Sequence, residues 1–240
     1  DVRDNLLESQ LHSGLSLESD VTRPDLEVFC DKDYAAATVD LRAAIRHSES
    51  DKKLHGFDDV YPKLFAGMRC AGVRMLEIGL KNGFSLELWS RSFPNFDHIY
   101  GVDKGETHSA HLSVSETLGD KVTIFSGDQA DQHFLETVVQ REVLGTSADS
   151  GGRKLDIIID DGGHTVIQQL TSFVHMFIPL LKGGGVYIIE DLQTSYYSGT
   201  GFGCYGQECG GGVPGKEGTA IDFIKDIVDF MNADYHGGKV

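Results

Sequence analysis

From residue 73 onward the chain alternates short apolar runs with amphipathic stretches, and this pattern admits few architectures. Residues 73–80, 98–102, 122–126, 155–159 and 185–189 read as strands. Residues 85–93, 131–141, 165–181 and 217–231 read as helices. Strands of about five residues, apolar almost throughout and separated by helices, build a parallel sheet covered on both faces. The expected fold is therefore α/β, with a doubly wound, mainly parallel sheet and an N-terminal helical extension. In such sheets ligands bind outside the carboxyl ends of the strands. Acidic residues recur there: Asp103, Asp128, Asp160 and Asp161, then Glu190 and Asp191.

Ahead of this pattern, residues 1–30 are polar, weakly periodic and interrupted by Pro24. A helix is expected over 33–46 and a second over 58–69, with Val60, Tyr61, Leu64, Phe65 and Met68 along one face. The division expected is an arm and helical cap over 1–70 and the main domain over 71–240. Glycine-rich stretches at 144–153 and 199–215 read as loops.

The formal net charge of −16 argues against a nucleic-acid partner, because such binding rests on Lys and Arg neutralising phosphates. No apolar run approaches the ~18 residues of a membrane span. The chain begins with an acidic segment and no Met, so it reads as a processed or trimmed form. A cytoplasmic location is the default, with a secretory lumen the alternative if a targeting segment was removed. A homo-oligomer is compatible with these features. Four cysteines without a CxxC pair are too few for a disulfide scaffold or a structural zinc site. Cys204 and Cys209 share one loop and are candidates for a local pair.

The first strand runs into Glu77-Ile78-Gly79-Leu80-Lys81-Asn82-Gly83. Glycine permits a tight turn and close approach of a ligand to the backbone. The following helix, starting near Ser85, points its N-terminus into the same space, where a carboxylate is stabilised. Dinucleotide sites usually read G-x-G-x-x-G, and that spacing is absent. Asp103, ending the second strand, is placed to accept hydrogen bonds from ribose hydroxyls. Asp128 and Gln129, ending the third, are candidates for an adenine amino group. Asp160, at the end of the fourth strand, and His55, before the second helix, complete the candidate cofactor residues. Together with the acidic rim, these parts point to a nucleoside-type methyl donor, S-adenosyl-L-methionine.

Two strand ends carry Asp160-Asp161-Gly162-Gly163-His164 and Glu190-Asp191. Adjacent ends would crowd Asp161, Glu190 and Asp191, and crowded carboxylates repel unless a cation joins them. Oxygen-only ligands suit a hard ion such as Mg²⁺. His164 is then the candidate general base for a hydroxyl acidified by that ion. The plainer alternative has Asp160 or Asp161 capping the next helix and Glu190 and Asp191 in surface ion pairs.

These residues resemble the metal-dependent macrolide-sugar O-methyltransferases, the macrocin and mycinamicin enzymes, and more distantly the cephalosporin-hydroxylase-like methyltransferases. The matching pieces are Asp51-Lys52, His55-Gly56-Phe57 and Tyr61; Leu76-Glu77-Ile78-Gly79, Gly83 and Ser85-Leu86; Gly127-Asp128-Gln129; Asp160 to His164; and Ile189 to Tyr196. The resemblance implies a Rossmann-like class I methyltransferase fold, Mg²⁺, and methyl transfer to a sugar hydroxyl. It implies Asp161, Glu190 and Asp191 as metal ligands and His164 as base. It implies Glu77, Gly79, Asp103 and Asp128 as contacts of the methyl donor. Phe57 stands where the family often has Tyr, and the final strand hairpin is expected to be abbreviated or missing. The acceptor is expected to be a hydroxylated small molecule or glycan. A catechol-like acceptor offers the same pair of oxygens, and a non-catalytic nucleoside-binding module uses the same turn; both stay open at this point.

Overall fold

The computed structural model describes residues 34–105, 118–145, 153–198 and 217–232. The arm over 1–30, the pairing of Cys204 with Cys209, the loop over 199–215 and most of the 144–153 loop lie outside the described residues. Five parallel strands form one sheet in the order β3-β2-β1-β4-β5. They are β1 (Arg74–Ile78), β2 (His98–Asp103), β3 (Val122–Ser126), β4 (Leu155–Asp160) and β5 (Leu181–Ile189).

Alternation along the strands sends side chains to two cores. Met75, Ile157 and Ile159 join one face; Leu76, Ile78 and Ile158 join the other. The first face is covered by α1 (Tyr34–Arg46), α2 (Tyr61–Phe65) and α3 (Phe84–Ser92). α1 buries Ala37, Leu41 and Ile45, four residues apart, and its neighbours in this core are Tyr61, Phe65, Trp89 and Phe93. The second face is covered by the 132–144 segment and by α6 (Val166–Leu180), through Leu135, Val139, Val143, Met176 and Leu180. Within 132–144, α4 (Gln132–Phe134) and α5 (Arg141–Leu144) flank a π-helical stretch, Leu135–Gln140. α7 (Ala220–Met231) starts at Thr219, whose side chain accepts from Asp222 N.

Two expectations change in detail. The helix over 58–69 is broken into a 3-10 turn (Phe57–Asp59), α2, and a second 3-10 turn (Ala66–Met68). Pro62 accounts for the first break, since it lacks an N–H and fits only the first turn of a helix. β5 begins at Leu181 rather than 185, directly after α6. Leu155 pairs with Leu181 but Ile157 with Val186, so extra residues including Gly183, Gly184 and Gly185 bulge from the pairing. Cys70 is disulfide-bonded, a cross-link that the spacing of the cysteines does not announce.

Candidate active site

The strand order reverses direction between β1 and β4, and the crevice of such a sheet opens there. Backbone bonds extend the pairing past the strand ends. Gly79 N donates to Val102 O, Asp161 N to Ile78 O, and Glu190 N to Asp160 O, each at 2.8–2.9 Å. The residues after β1, β4 and β5 are thereby held side by side. Gly79 has φ +86°, and a Cβ there would stand 2.0 Å from the Asp161 carbonyl oxygen. Only glycine lets the β1 turn lie this close to the β4 turn.

Asp103 ties this turn together. Its Oδ2 accepts from the Leu80 and Lys81 amides at 2.8 and 3.0 Å, and its Oδ1 from Gly105 N. Gly83, at φ +77°, precedes α3, and Ser85 is buried in the helix's first turn. Asp128 accepts from Ala130 N and pairs with Lys104 at 2.7 Å. Partial burial works against its charge, but these two partners outweigh it and lower its pKa. Gln129 is buried, donating to Asp160 Oδ1 and lying 2.9 Å from Ser172 Oγ while accepting from Gly163 N. The structure thus places Gln129 as a strut between the β3 and β4 ends. Asp160 is buried as well, and burial pushes its carboxyl up to about 7.

α6 is capped by Thr165 and Gln168, which form a reciprocal capping box. Asp160 and Asp161 do not serve as that cap. Instead Asp161, His164 and Asp191 converge, with one ligand atom from each lying within 4.8 Å of the others. His164 Nε2 stands 3.7 Å from Asp161 Oδ1, and Nδ1 3.3 Å from Asp191 Oδ2. Burial opposes a charged imidazole, but the two carboxylates prevail and raise its pKa. Asp191 sits at φ +55°, a conformation rare outside glycine and tolerated best by Asn and Asp. The Thr194 hydroxyl lies 2.8 Å from the carbonyls of both His164 and Asp191 and locks the two backbones together.

Glu190 lies outside that trio but is tied to Asp161 through Lys52. Its Oε1 accepts from Lys52 Nζ at 2.7 Å and from the Tyr61 hydroxyl. Lys52 is 1% exposed, and its ammonium also reaches Asp161 Oδ2 at 2.8 Å and Glu77 Oε1 at 3.3 Å. Glu77 is fully buried and accepts from Trp89 Nε1 at 3.0 Å. Burial raises the Glu77 pKa, with Lys52 opposing the rise. Burial alone would lower the lysine's pKa, yet Glu77, Glu190 and Asp161 together hold it well above the ordinary range. Lys52, Tyr61 and Trp89 received no role from the sequence. The available signal was Lys52 itself, inside the Asp51-Lys52 piece that matches the family.

A cavity of about 620 Å³ opens beside this cluster. Its walls include Leu54, Val60, Leu64, Ile188 and Leu192, with Glu190 and Asp191 among its lining. His55 lines the same cavity and stacks on Phe57 with ring centroids 6.1 Å apart. The structure therefore places His55, expected among the cofactor residues, in one cavity wall with Glu190 and Asp191.

No protein-family model matches the chain. Among curated proteins it is 34% identical over 200 residues to an L-olivosyl-oleandolide 3-O-methyltransferase of Streptomyces antibioticus, covering 80% of this chain and 45% of that protein. It is 33% identical over 184 residues to a Mycinamicin VI 2''-O-methyltransferase of Micromonospora griseorubida, covering 73% and 39%. Among solved structures it is similar to the MycE methyltransferase from the mycinamycin biosynthetic pathway in complex with Mg and SAH. That likeness has a TM-score of 0.62 and 30% identity, over 79% of this chain and 44% of the other. The chain spans less than half the length of these relatives. The fold is that of a Rossmann-like methyltransferase.

Proposed function

Because this chain is homologous, over up to 80% of its length, to sugar O-methyltransferases of macrolide and polyketide pathways, we propose that it transfers a methyl group from S-adenosyl-L-methionine to a sugar hydroxyl with the help of Mg²⁺. The observation that carries this reading is the convergence of Asp161, His164 and Asp191 beside the Gly79 turn.

The methyl donor is assigned to the turn from Glu77 to Gly83, Ser85 and Asp103, with Asp128, Gln129 and Asp160 on the adenine side. The cluster fits a cation on chemical grounds. Among the described residues, Glu77, Asp161, Glu190 and Asp191 face one lysine and one histidine. Hard carboxylate oxygens suit Mg²⁺, and Asp161, Glu190 and Asp191 would hold it. A magnesium ion, when bound, supplies a Lewis acid that lowers the pKa of the acceptor hydroxyl. His164 takes the proton, with Asp161 and Asp191 stabilising the imidazolium that forms. The acceptor oxygen forms a bond to the methyl carbon, and the C–S bond breaks with its electron pair going to sulfur. The rest of the protein aligns the two reactants.

The cavity lined by His55, Leu54, Val60 and Leu64 is the place for the acceptor. Its mixture of aliphatic wall and acidic floor suits a hydroxylated compound with an apolar part. The test is a screen for labelled methyl transfer to free sugars, glycosides and catechols, with Mg²⁺ or with EDTA. Transfer to sugar hydroxyls that EDTA stops and Mg²⁺ restores is expected. Transfer to catechols alone, or full turnover in EDTA, would overturn the reading.

A further inference from the structure

We propose that Lys52 is a built-in counter-ion of the metal-binding carboxylates, a positioning residue that keeps the cluster folded without metal and weakens its hold on the divalent ion. The proposal rests on the reading above for the identity of the metal ligands.

Lys52 comes from a 3-10 turn, Asp51–Lys53, that is separated by more than 100 residues from two of its partners. The turn is tied to the residues just before it. Ser50 Oγ accepts from Lys52 N, and Lys53 Nζ donates to Ser48 O at 2.6 Å. The ammonium therefore does not reach the cluster by chance wandering of a surface side chain. It is delivered there by an ordered turn and sealed by Phe57 and Trp89, whose ring centroids each lie 5.9 Å away.

Its three partners come from three different strand ends: Glu77 from β1, Asp161 from the β4 turn and Glu190 from the β5 end. Two buried carboxylates, Glu77 and Glu190, and the part-buried Asp161 would with no cation repel one another and be poorly hydrated, a combination that folded proteins avoid. One lysine offsets part of that excess. It also takes a particular oxygen from each partner, Oδ2 of Asp161 and Oε1 of Glu190. Asp161 Oδ1 is left facing His164. Lys52 thus orients Asp161 while it neutralises it.

The same ammonium opposes a divalent ion on the shared carboxylates. At short range in a buried setting, repulsion of this kind exceeds a factor of ten in binding. Removing the charge should tighten metal binding and make folding depend on it. A lysine that only packed the core would, when removed, loosen the carboxylates and weaken metal binding, so the direction of the change separates the two roles.

The experiment compares wild type, Lys52→Met and Lys52→Arg, all purified in Mg²⁺. Mn²⁺ affinity is titrated by calorimetry after exchange, and thermal unfolding is followed with Mn²⁺ and with EDTA. Lys52→Met is expected to bind Mn²⁺ at least tenfold more tightly than wild type. Its melting point should rise with Mn²⁺ by more than the wild-type rise, and EDTA should destabilise it selectively. Lys52→Arg, which keeps the charge, should behave nearer to wild type; this arm stands even if Lys52→Met unfolds in EDTA. Equal or weaker Mn²⁺ binding by Lys52→Met, with wild type binding normally, would overturn the role of Lys52 and leave the metal reading intact. Failure of wild type and variants alike to bind Mn²⁺ would overturn both.

Discussion

Asp160 illustrates how much a single buried group sets at this site. Its pKa is pushed up to about 7 by burial, although Gln129 and the Gly162 amide both donate to it. An acid whose folded pKa is raised binds its proton more tightly folded than unfolded. That contribution is fully present below the unfolded pKa of about 4 and is lost as pH rises towards about 7. Asp160→Asn, which keeps an acceptor for Gln129, should therefore gain stability relative to wild type between pH 4 and pH 7. The gain should level off above pH 7 at roughly 1–3 kcal/mol. Urea unfolding at pH 5, 6, 7 and 8 measures it, and a difference independent of pH would rule the account out. Gly79 is a second such position. Gly79→Ala adds a Cβ 2.0 Å from the Asp161 carbonyl oxygen at a backbone angle of +86°. It should cost roughly 2–4 kcal/mol and abolish binding of S-adenosylhomocysteine, readable by denaturation and calorimetry. Near-normal values would mean that the two turns are not held together as described. At this scale the sequence was informative about the acidic and glycine positions, because strand ends and Gly spacing are local. It was silent about Lys52, because the lysine's partners lie 109 and 138 residues away.

Elements carry these residues into place. α6 begins at the Thr165–Gln168 box immediately after His164, so the cap that starts the helix also fixes the backbone of the candidate base. Thr165→Ala should destabilise the protein by about 1 kcal/mol, seen as a lower urea midpoint with an unchanged slope. An unaltered midpoint would show that the box contributes nothing. The strands were readable because buried parallel strands are nearly continuous apolar runs, such as Leu155-Asp156-Ile157-Ile158-Ile159. The segment after His55 was less so. Its apolar residues repeat with a helical period, but Pro62 must sit in the first turn of the α-helix, and the helix runs only from Tyr61 to Phe65. Likewise the expected strand starts only at Gly185, whereas β5 starts at Leu181 and bulges Gly183, Gly184 and Gly185 from its pairing.

Across the whole molecule, α1 shares one core with Tyr61, Phe65, Trp89 and the sheet residues Met75, Ile157 and Ile159. The helix that the sequence assigned to a cap is thus packed into the same apolar cluster as the site's supports. Leu41→Ala, at a position 1% exposed, should cost roughly 2–4 kcal/mol in one cooperative transition. A separate early transition for α1, with the main one unmoved, would speak for an independent cap. The same connectivity links Lys52, on the segment after α1, to the ends of β1, β4 and β5. In the proposed reaction His164, held between Asp161 and Asp191, takes the acceptor proton. The direct measurement is the rate of labelled methyl transfer by His164→Ala, at saturating S-adenosylmethionine and Mg²⁺, beside wild type. A loss of at least a hundredfold with S-adenosylhomocysteine affinity preserved is the predicted result. Turnover within a few fold of wild type would contradict it.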